Sequence, residues 1–299
     1  MSEEDSAPVA SAPPVQVDLR MLTPARVALE RTGDSIATRR TLEFSVAHAQ
    51  ARDVVHSALS VASLMAALRE RNLAAISVRS AARDRTEYLL RPDLGRALSP
   101  ASSAQLNDLG KGLGAAPSPA RSHRDGVGYS RDARTASSRQ PPANLAIILA
   151  DGLSALAVER HTLPLFDALL ALLKIDEPSE SWHLAPIVIA EQARVALGDE
   201  IGEALNADAT LVLIGERPGL SSPDSLGAYI TWAPRRGCTD AERNCVSNIR
   251  SEGLDYATAA AKIAWYLNEG RRLGLTGVAL RELDAPQATA ALGHQTRPE

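Results

Sequence analysis

Apolar and polar positions along the chain follow two different rhythms. "ATRRTLEFSVAHAQARDVVH" and "SALSVASLMAALRERN" set apolar residues at helical spacing with charges between them, and predict two helices. Ahead of them "RTGDS" (Arg31 to Ser35) reads as a turn in which Asp34 or Ser35 can cap the next helix. "LAAISVRS" and "TEYLLRPDLGRAL" read as short strands or extended segments, the second punctuated by Pro92 and Gly95. Together these predict a mainly helical N-terminal domain over residues 21–115.

From Asn144 the rhythm changes. "NLAIILA", "LAPIVIA" and "ATLVLIG" are continuous apolar runs of strand length, and "GAYITWA" predicts a fourth strand. Between them "LPLFDALLALLK" and "ALGDEIGEALN" keep helical period. "DYATAAAKIAWYLNEGRRLG" predicts a long helix, capped by Asp255 and stopped near Gly270 or Gly274. Apolar strands alternating with helices predict a parallel sheet covered on both faces. Residues 143–299 therefore read as a doubly wound, Rossmann-like α/β domain.

Two segments carry neither rhythm. Residues 1–20 are rich in Pro, Ala, Ser and acids and read as a flexible tail. Residues 116–142 hold five Arg, two Asp and four Pro without periodicity, and read as a disordered linker or an insertion, with capture of an anionic partner as the other reading.

Net charge is −4, so the chain lacks the global basic footprint of a nucleic-acid binder. No apolar run is long enough to span a bilayer, and the start of the chain lacks the apolar core of a signal peptide. Cys238 and Cys245 match neither a disulfide framework nor a zinc spacing, and read as reduced thiols of a cytoplasmic protein. The six histidines form no metal-binding pattern, and neither G-x-G-x-x-G nor a P-loop follows any strand.

Open parallel sheets bind ligands beyond the carboxyl ends of their strands. That rule selects "DGLSA", "EQARV", "GERPGL" and "APRRG". In "GERPGL", Pro218 and Gly219 predict a type II turn that would hold Glu216 at a strand tip, as a ligand's hydrogen-bond acceptor or as an arginine's partner. "GLSAL" fails the nucleophile-elbow pattern at its last position, so Ser154 reads first as a turn or cap residue. A stand-alone nucleotide-binding or hydrolase-like domain, or an interaction protein using its tail and linker, are the competing functional classes.

Taken in order, "YLLRPDLGRAL", "ADGLSALAV", "ARVALGDEIGEAL", "IGERPGL", "DSLGAYITWAPR" and "AERNCVSNIRSEGL" resemble the small (light) subunit of ethanolamine ammonia-lyase over most of residues 80–270. The resemblance implies a TIM-barrel large subunit that carries the substrate and the catalytic residues, in an assembly of six large and six small chains. It implies adenosylcobalamin between the subunits, base-on, in agreement with the lack of D-x-H-x-x-G. The reaction implied is radical conversion of ethanolamine to acetaldehyde and ammonia. Cofactor contacts carry over to Val195, Glu216 and Cys245, with Cys245 expected in a loop before the last helix. No catalytic or metal-ligating residue is expected in this chain. The location implied is the cytoplasm, free or inside a bacterial microcompartment.

Overall fold

The computed structural model describes residues 27, 31–32, 35–112, 143–173, 175 and 182–281. The expected 1–20 tail and 116–142 linker lie outside these residues. The chain divides into two compact units, residues 1–49 and 50–299. In the first, β1 (Arg31–Thr32) pairs antiparallel with β2 (Ser35–Ile36), bracketing the expected turn, whose central residues are outside the described set. Ser35 lies within β2, and α1 (Thr38–His56) begins three residues later.

The second unit continues with α2 (Val61–Glu70), β3 (Ala75–Arg79), α3 (Arg85–Leu90) and α4 (Pro100–Gly112). "TEYLL" is thus helical, not extended. Asp84 caps α3 by accepting from Glu87 N at 2.8 Å, and Glu87 reaches back to accept from Arg83 N at 2.8 Å. This reciprocal pairing closes a short helix that its apolar content alone would not predict.

Then follow β4 (Ala143–Ala150), α5 (Ala155–Leu170), β5 (Trp182–Leu184), β6 (Ile187–Glu191), α6 (Leu197–Ala204) and β7 (Ala209–Gly215). Last come β8 (Leu226–Trp232), β9 (Arg243–Ile249) and α7 (Tyr256–Leu273). As predicted, Asp255 caps α7 by accepting from Thr258 N, and Gly274 ends it in the left-handed conformation at φ 68°.

The sheet has seven strands in the order β3-β6-β4-β7-β8-β9, with β5 also on β4. Pro186 interrupts what would otherwise be one strand along β4, since proline has no N–H to donate to the ladder. β3, from the "LAAISVRS" stretch read as a short strand or extended segment within the expected mainly helical domain, is the edge strand on β6, so that domain contributes to the sheet and to the same unit as the later strands. All pairings among β3 to β7 are parallel, whereas β8 and β9 are antiparallel additions. The fold is therefore mixed α/β with a mostly parallel sheet, not the fully parallel one expected.

β4 is buried on both faces. Leu145, Ile147 and Leu149 join a core with α2, α5 and α7; Ala146, Ile148 and Ala150 join the opposite core with α4 and α6. Glycine brings α6 close. A Cβ on Gly198 would collide with Val212 Cγ2, and one on Gly202 would stand 2.5 Å from Pro234 Cγ. Four residues of helix rise about 6 Å and two residues of strand about 6.6 Å, so Gly198 and Gly202 match Val212 and Thr210 along β7.

Candidate functional site at the carboxyl edge of the sheet

β3, β6, β4 and β7 end at one edge, and the polar residues there form two groups. In the first, Asp151 follows β4 directly and is buried. Its carboxylate accepts from Gln192 N and Ala193 N, both at 2.9 Å, and from Arg85 Nη1 at 3.1 Å. Burial pushes its carboxyl up, and these N–H groups and the Arg85 charge pull it back. Arg85 also donates to Val55 O at 2.7 Å and to Gly152 O at 2.9 Å. Tyr88, fully buried, donates to Ala193 O at 3.0 Å, and burial raises its phenol above the ordinary range. The guanidinium carbons of Arg85 and Arg194 lie 4.8 and 4.3 Å from the centre of its ring. Gly152 takes φ +55°, and a Cβ there would run into Gly215 O, so the β4–α5 turn packs backbone to backbone on the tip of β7.

Ser154 is the N-cap of α5. It accepts from Ala157 N at 3.2 Å, donates to Pro223 O at 3.2 Å, and has no exposed surface. A hydroxyl committed at both ends and shut away from solvent serves the turn, as the failed elbow pattern implies, and disfavours the hydrolase reading.

The second group surrounds Glu216, immediately after β7. Its carboxylate accepts from Asn248 N at 3.2 and 3.4 Å, and its N–H donates to Ser225 O at 3.0 Å. The predicted type II turn does not form, because Gly219 has no positive φ; instead Gly219 and Ser222 exchange backbone hydrogen bonds of 2.9 and 3.3 Å. Asn248 sits at φ 59° where β9 carries one residue more than β8, a bulge that turns its N–H toward Glu216.

Cys245 lies in β9, opposite Tyr229, and not in a loop. Only Val246 and Ile249 are apolar in "RNCVSNI", so hydrophobic pattern could not reveal this strand. Desolvation on its sheet face and the Glu216 charge push the Cys245 thiol up while Tyr229 opposes them, which disfavours the thiolate. Gly227, Tyr229, Cys245 and Ser247 share one sheet face. A Cβ on Gly227 would meet Glu216 Oε1 at 3.0 Å and Tyr229 Cε2 at 3.3 Å, so the glycine keeps this strip low. Cys245 and Ser247 are exposed on it.

Val195 leads into α6 and packs, half-buried, on the core cluster that also carries Val212, Ile214 and Tyr229. α6 is tied to β9 by a buried pair, Arg243 Nη2 donating to Asp199 Oδ2, with Arg243 also donating to Cys238 O at 2.9 Å. Burial pushes the Asp199 carboxyl up to about 6 against the pull of Arg243. α6 thus covers the Arg243 end of the β8–β9 face and leaves the Cys245 end open.

The fourth predicted place, "APRRG", is at the opposite edge. β8 runs antiparallel, and Ala233 N donates to Asp208 O at 2.7 Å beside the start of β7. Among the described residues no group of His, Cys, Asp and Glu could hold a metal ion, and no helix is long and apolar enough to cross a membrane. Sequence reading passed over Arg85, Tyr88, Arg194, Tyr229 and the Asp199–Arg243 pair. The motif pieces "YLLRPDLGR" and "NCVSN" hold or adjoin several of them.

Fold and site together define a mixed α/β protein that gathers rigidly held polar residues and an open strip at the carboxyl edge of a mostly parallel sheet, where such folds hold ligands. The sequence profile described as "Ethanolamine ammonia-lyase light chain (EutC)" matches residues 15–115 and 128–281. The chain belongs to this family. It is 52% identical over 264 residues to the ethanolamine ammonia-lyase small subunit of Azotobacter vinelandii, covering 88% of this chain and 87% of the relative. The proteins of the same name from Pseudomonas aeruginosa and Xanthomonas campestris pv. campestris are each 48% identical over 281 residues, 94% of this chain and 92% of theirs.

Proposed function

We propose that this chain is the small subunit of an adenosylcobalamin-dependent ethanolamine ammonia-lyase, and that its open strip closes one side of the cofactor pocket against the large subunit. The observation that carries the reading is Glu216: a carboxylate at a strand tip, with one backbone N–H as its protein partner, beside an exposed strip that a glycine keeps low. A corrin ring is broad, apolar on its faces and fringed with amide side chains. Glu216 retains acceptor capacity for those amide N–H groups. Val195, Tyr229 and Cys245 offer apolar and polarisable surface to the ring. The donor set therefore fits the cofactor.

Bound adenosylcobalamin supplies the radical chemistry that turns ethanolamine into acetaldehyde and ammonia. This chain's residues bind, orient and exclude water. Glu216 is held by Asn248, the strip is held by the Asp199–Arg243 pair, and acid–base work on the substrate is left to the large subunit. In this reading the Rossmann-like part of the chain is the cofactor-binding domain, the large subunit is a TIM barrel, and six of each chain assemble in the cytoplasm or in a microcompartment.

The test is titration of the assembled large–small complex with adenosylcobalamin, followed by visible absorbance. Glu216→Ala is expected to weaken binding by about 1–3 kcal/mol, the worth of hydrogen bonds to a charged acceptor, while both subunits still co-elute. Unchanged affinity removes Glu216 from the site. The small chain alone is expected to be inactive until the large subunit and cofactor are added.

A further inference from the structure

Arg194 is a partly buried charged side chain of the carboxyl edge that meets no counter-charge among the described residues. Among the described residues its guanidinium makes no hydrogen bond and no ion pair, and its Nε is buried without a partner. The neighbouring Arg85 is balanced by Asp151 at 3.1 Å. Arg194 is nevertheless fixed. Its N–H donates to Gly95 O at 2.8 Å, and its guanidinium carbon lies 4.3 Å from the centre of the Tyr88 ring. Tyr88 is itself pinned through Ala193 O. Gly95 makes room for the stack, since a Cβ there would stand 3.0 Å from Arg194 Cγ and 2.8 Å from Tyr88 Cε2. A guanidinium held over a ring with its Nη donors untaken presents a forked donor pair to a planar or tetrahedral oxyanion. Partial burial without a counter-charge is costly, and an anion arriving with a ligand removes that cost.

We propose that Arg194 binds the phosphodiester of the bound cobalamin's nucleotide tail. This rests on the reading that the chain holds a cobalamin. Val195, the next residue, already belongs to the candidate cofactor surface, and a phosphodiester is the only anionic group that cobalamin carries. Arg194 is then a binding residue with no part in bond making. It selects for a corrinoid with its tail attached.

The experiment is equilibrium binding to the assembled large–small complex, read by absorbance, with three corrinoids: cobalamin, cobinamide phosphate and cobinamide, which lacks the phosphate. Wild type is expected to prefer cobinamide phosphate over cobinamide. Arg194→Gln is expected to lose about 10- to 100-fold in affinity for cobalamin and cobinamide phosphate, the worth of charged hydrogen bonds, and to leave cobinamide unchanged. Arg194→Lys, which keeps the charge but not the fork, is expected to recover part of the loss. Equal losses for all three ligands would overturn the proposal by making Arg194 a structural residue. So would loss of subunit co-elution in both variants, which would assign the anion to a carboxylate of the partner. If wild type bound none of the three, the cofactor reading itself would fail, a result distinct from either.

Discussion

Consider adding one methyl group at Gly198. The new Cβ would meet Val212 Cγ2 far inside van der Waals contact, while its next neighbours, Val212 Cβ at 3.8 Å and Ile148 Cδ1 at 3.9 Å, are at ordinary distance. A single methyl is therefore the obstacle. Val212 is buried in the centre of β7 and β-branched, so its rotamer cannot swing away cheaply. Instead α6 must lift by roughly 1 Å to restore normal carbon–carbon separation. Overpacking of this kind costs about 1–3 kcal/mol. The better helix propensity of Ala returns up to about 1 kcal/mol, and less near a helix start. The net expected loss is about 1–2 kcal/mol, or roughly 2–8 °C in Tm for a domain of this size. Val195 rides on the same end of α6, so, on the proposed reading of Val195 as a cofactor contact, cofactor affinity of the assembled complex should fall too. Differential scanning calorimetry of Gly198→Ala, Val212→Ala and the double variant reads the coupling, and Val212→Ala should rescue part of the loss because it removes the colliding atom. Gly112→Ala, where a Cβ meets nothing within 4 Å, is the control and should be neutral or slightly stabilising. A Gly198→Ala protein that melts with wild type, or a double variant with strictly additive losses, would refute the close-packing argument.

Ser154→Ala should cost about 0.5–2 kcal/mol through loss of the α5 cap, measured by urea denaturation, while the assembled enzyme keeps its turnover once folded; a folded variant with no activity would revive a chemical role for the hydroxyl. Arg71 holds Asp167 through two 2.8 Å hydrogen bonds, which keep that carboxyl below its ordinary range. A depressed acid stabilises the fold above its unfolded pKa and loses that contribution as pH falls through the folded value. Arg71→Ala should therefore cost less than about 1 kcal/mol near neutrality, because the pair is half-exposed, and this difference should vanish in strong acid and shrink with salt. A difference that is constant with pH would show that packing, not charge, is what Arg71 contributes.

Hydrophobic rhythm made the parallel centre of the sheet legible, because β4, β6 and β7 are buried on both faces and have to be continuously apolar. It could not show strand direction. That information was present elsewhere: the connection from Gly215 to Leu226 contains no helix, and a parallel crossover needs a dozen or more residues, usually helical. Reading that length would have reversed β8 and moved "APRRG" to the far edge. β9 was invisible for a different reason. Arg243 and Asn244 are buried polar residues, and besides the nearby Asp240 and Cys238 O their partners are Asp199 and the backbone of Gly277 and Leu280, far away in sequence. Burial that depends on a distant counter-charge leaves no local pattern.

The two polar groups at the carboxyl edge also differ in what they leave unsatisfied, and this separates scaffold from ligand surface more sharply than position does. Around Asp151 both carboxylate oxygens are occupied and the Arg85 charge is answered, so that group braces the β4–α5 turn. Glu216 has one N–H donor for a carboxylate with room for several, and Arg194 has none of its charge answered among the described residues. A folded protein tolerates such residues at an edge when something that arrives later completes them. One carries a negative charge suited to amide donors and the other a positive charge suited to a phosphodiester. A ligand offering both groups would satisfy them together, which predicts that Glu216→Ala and Arg194→Gln combine additively on cobalamin affinity if they contact separate parts of one molecule.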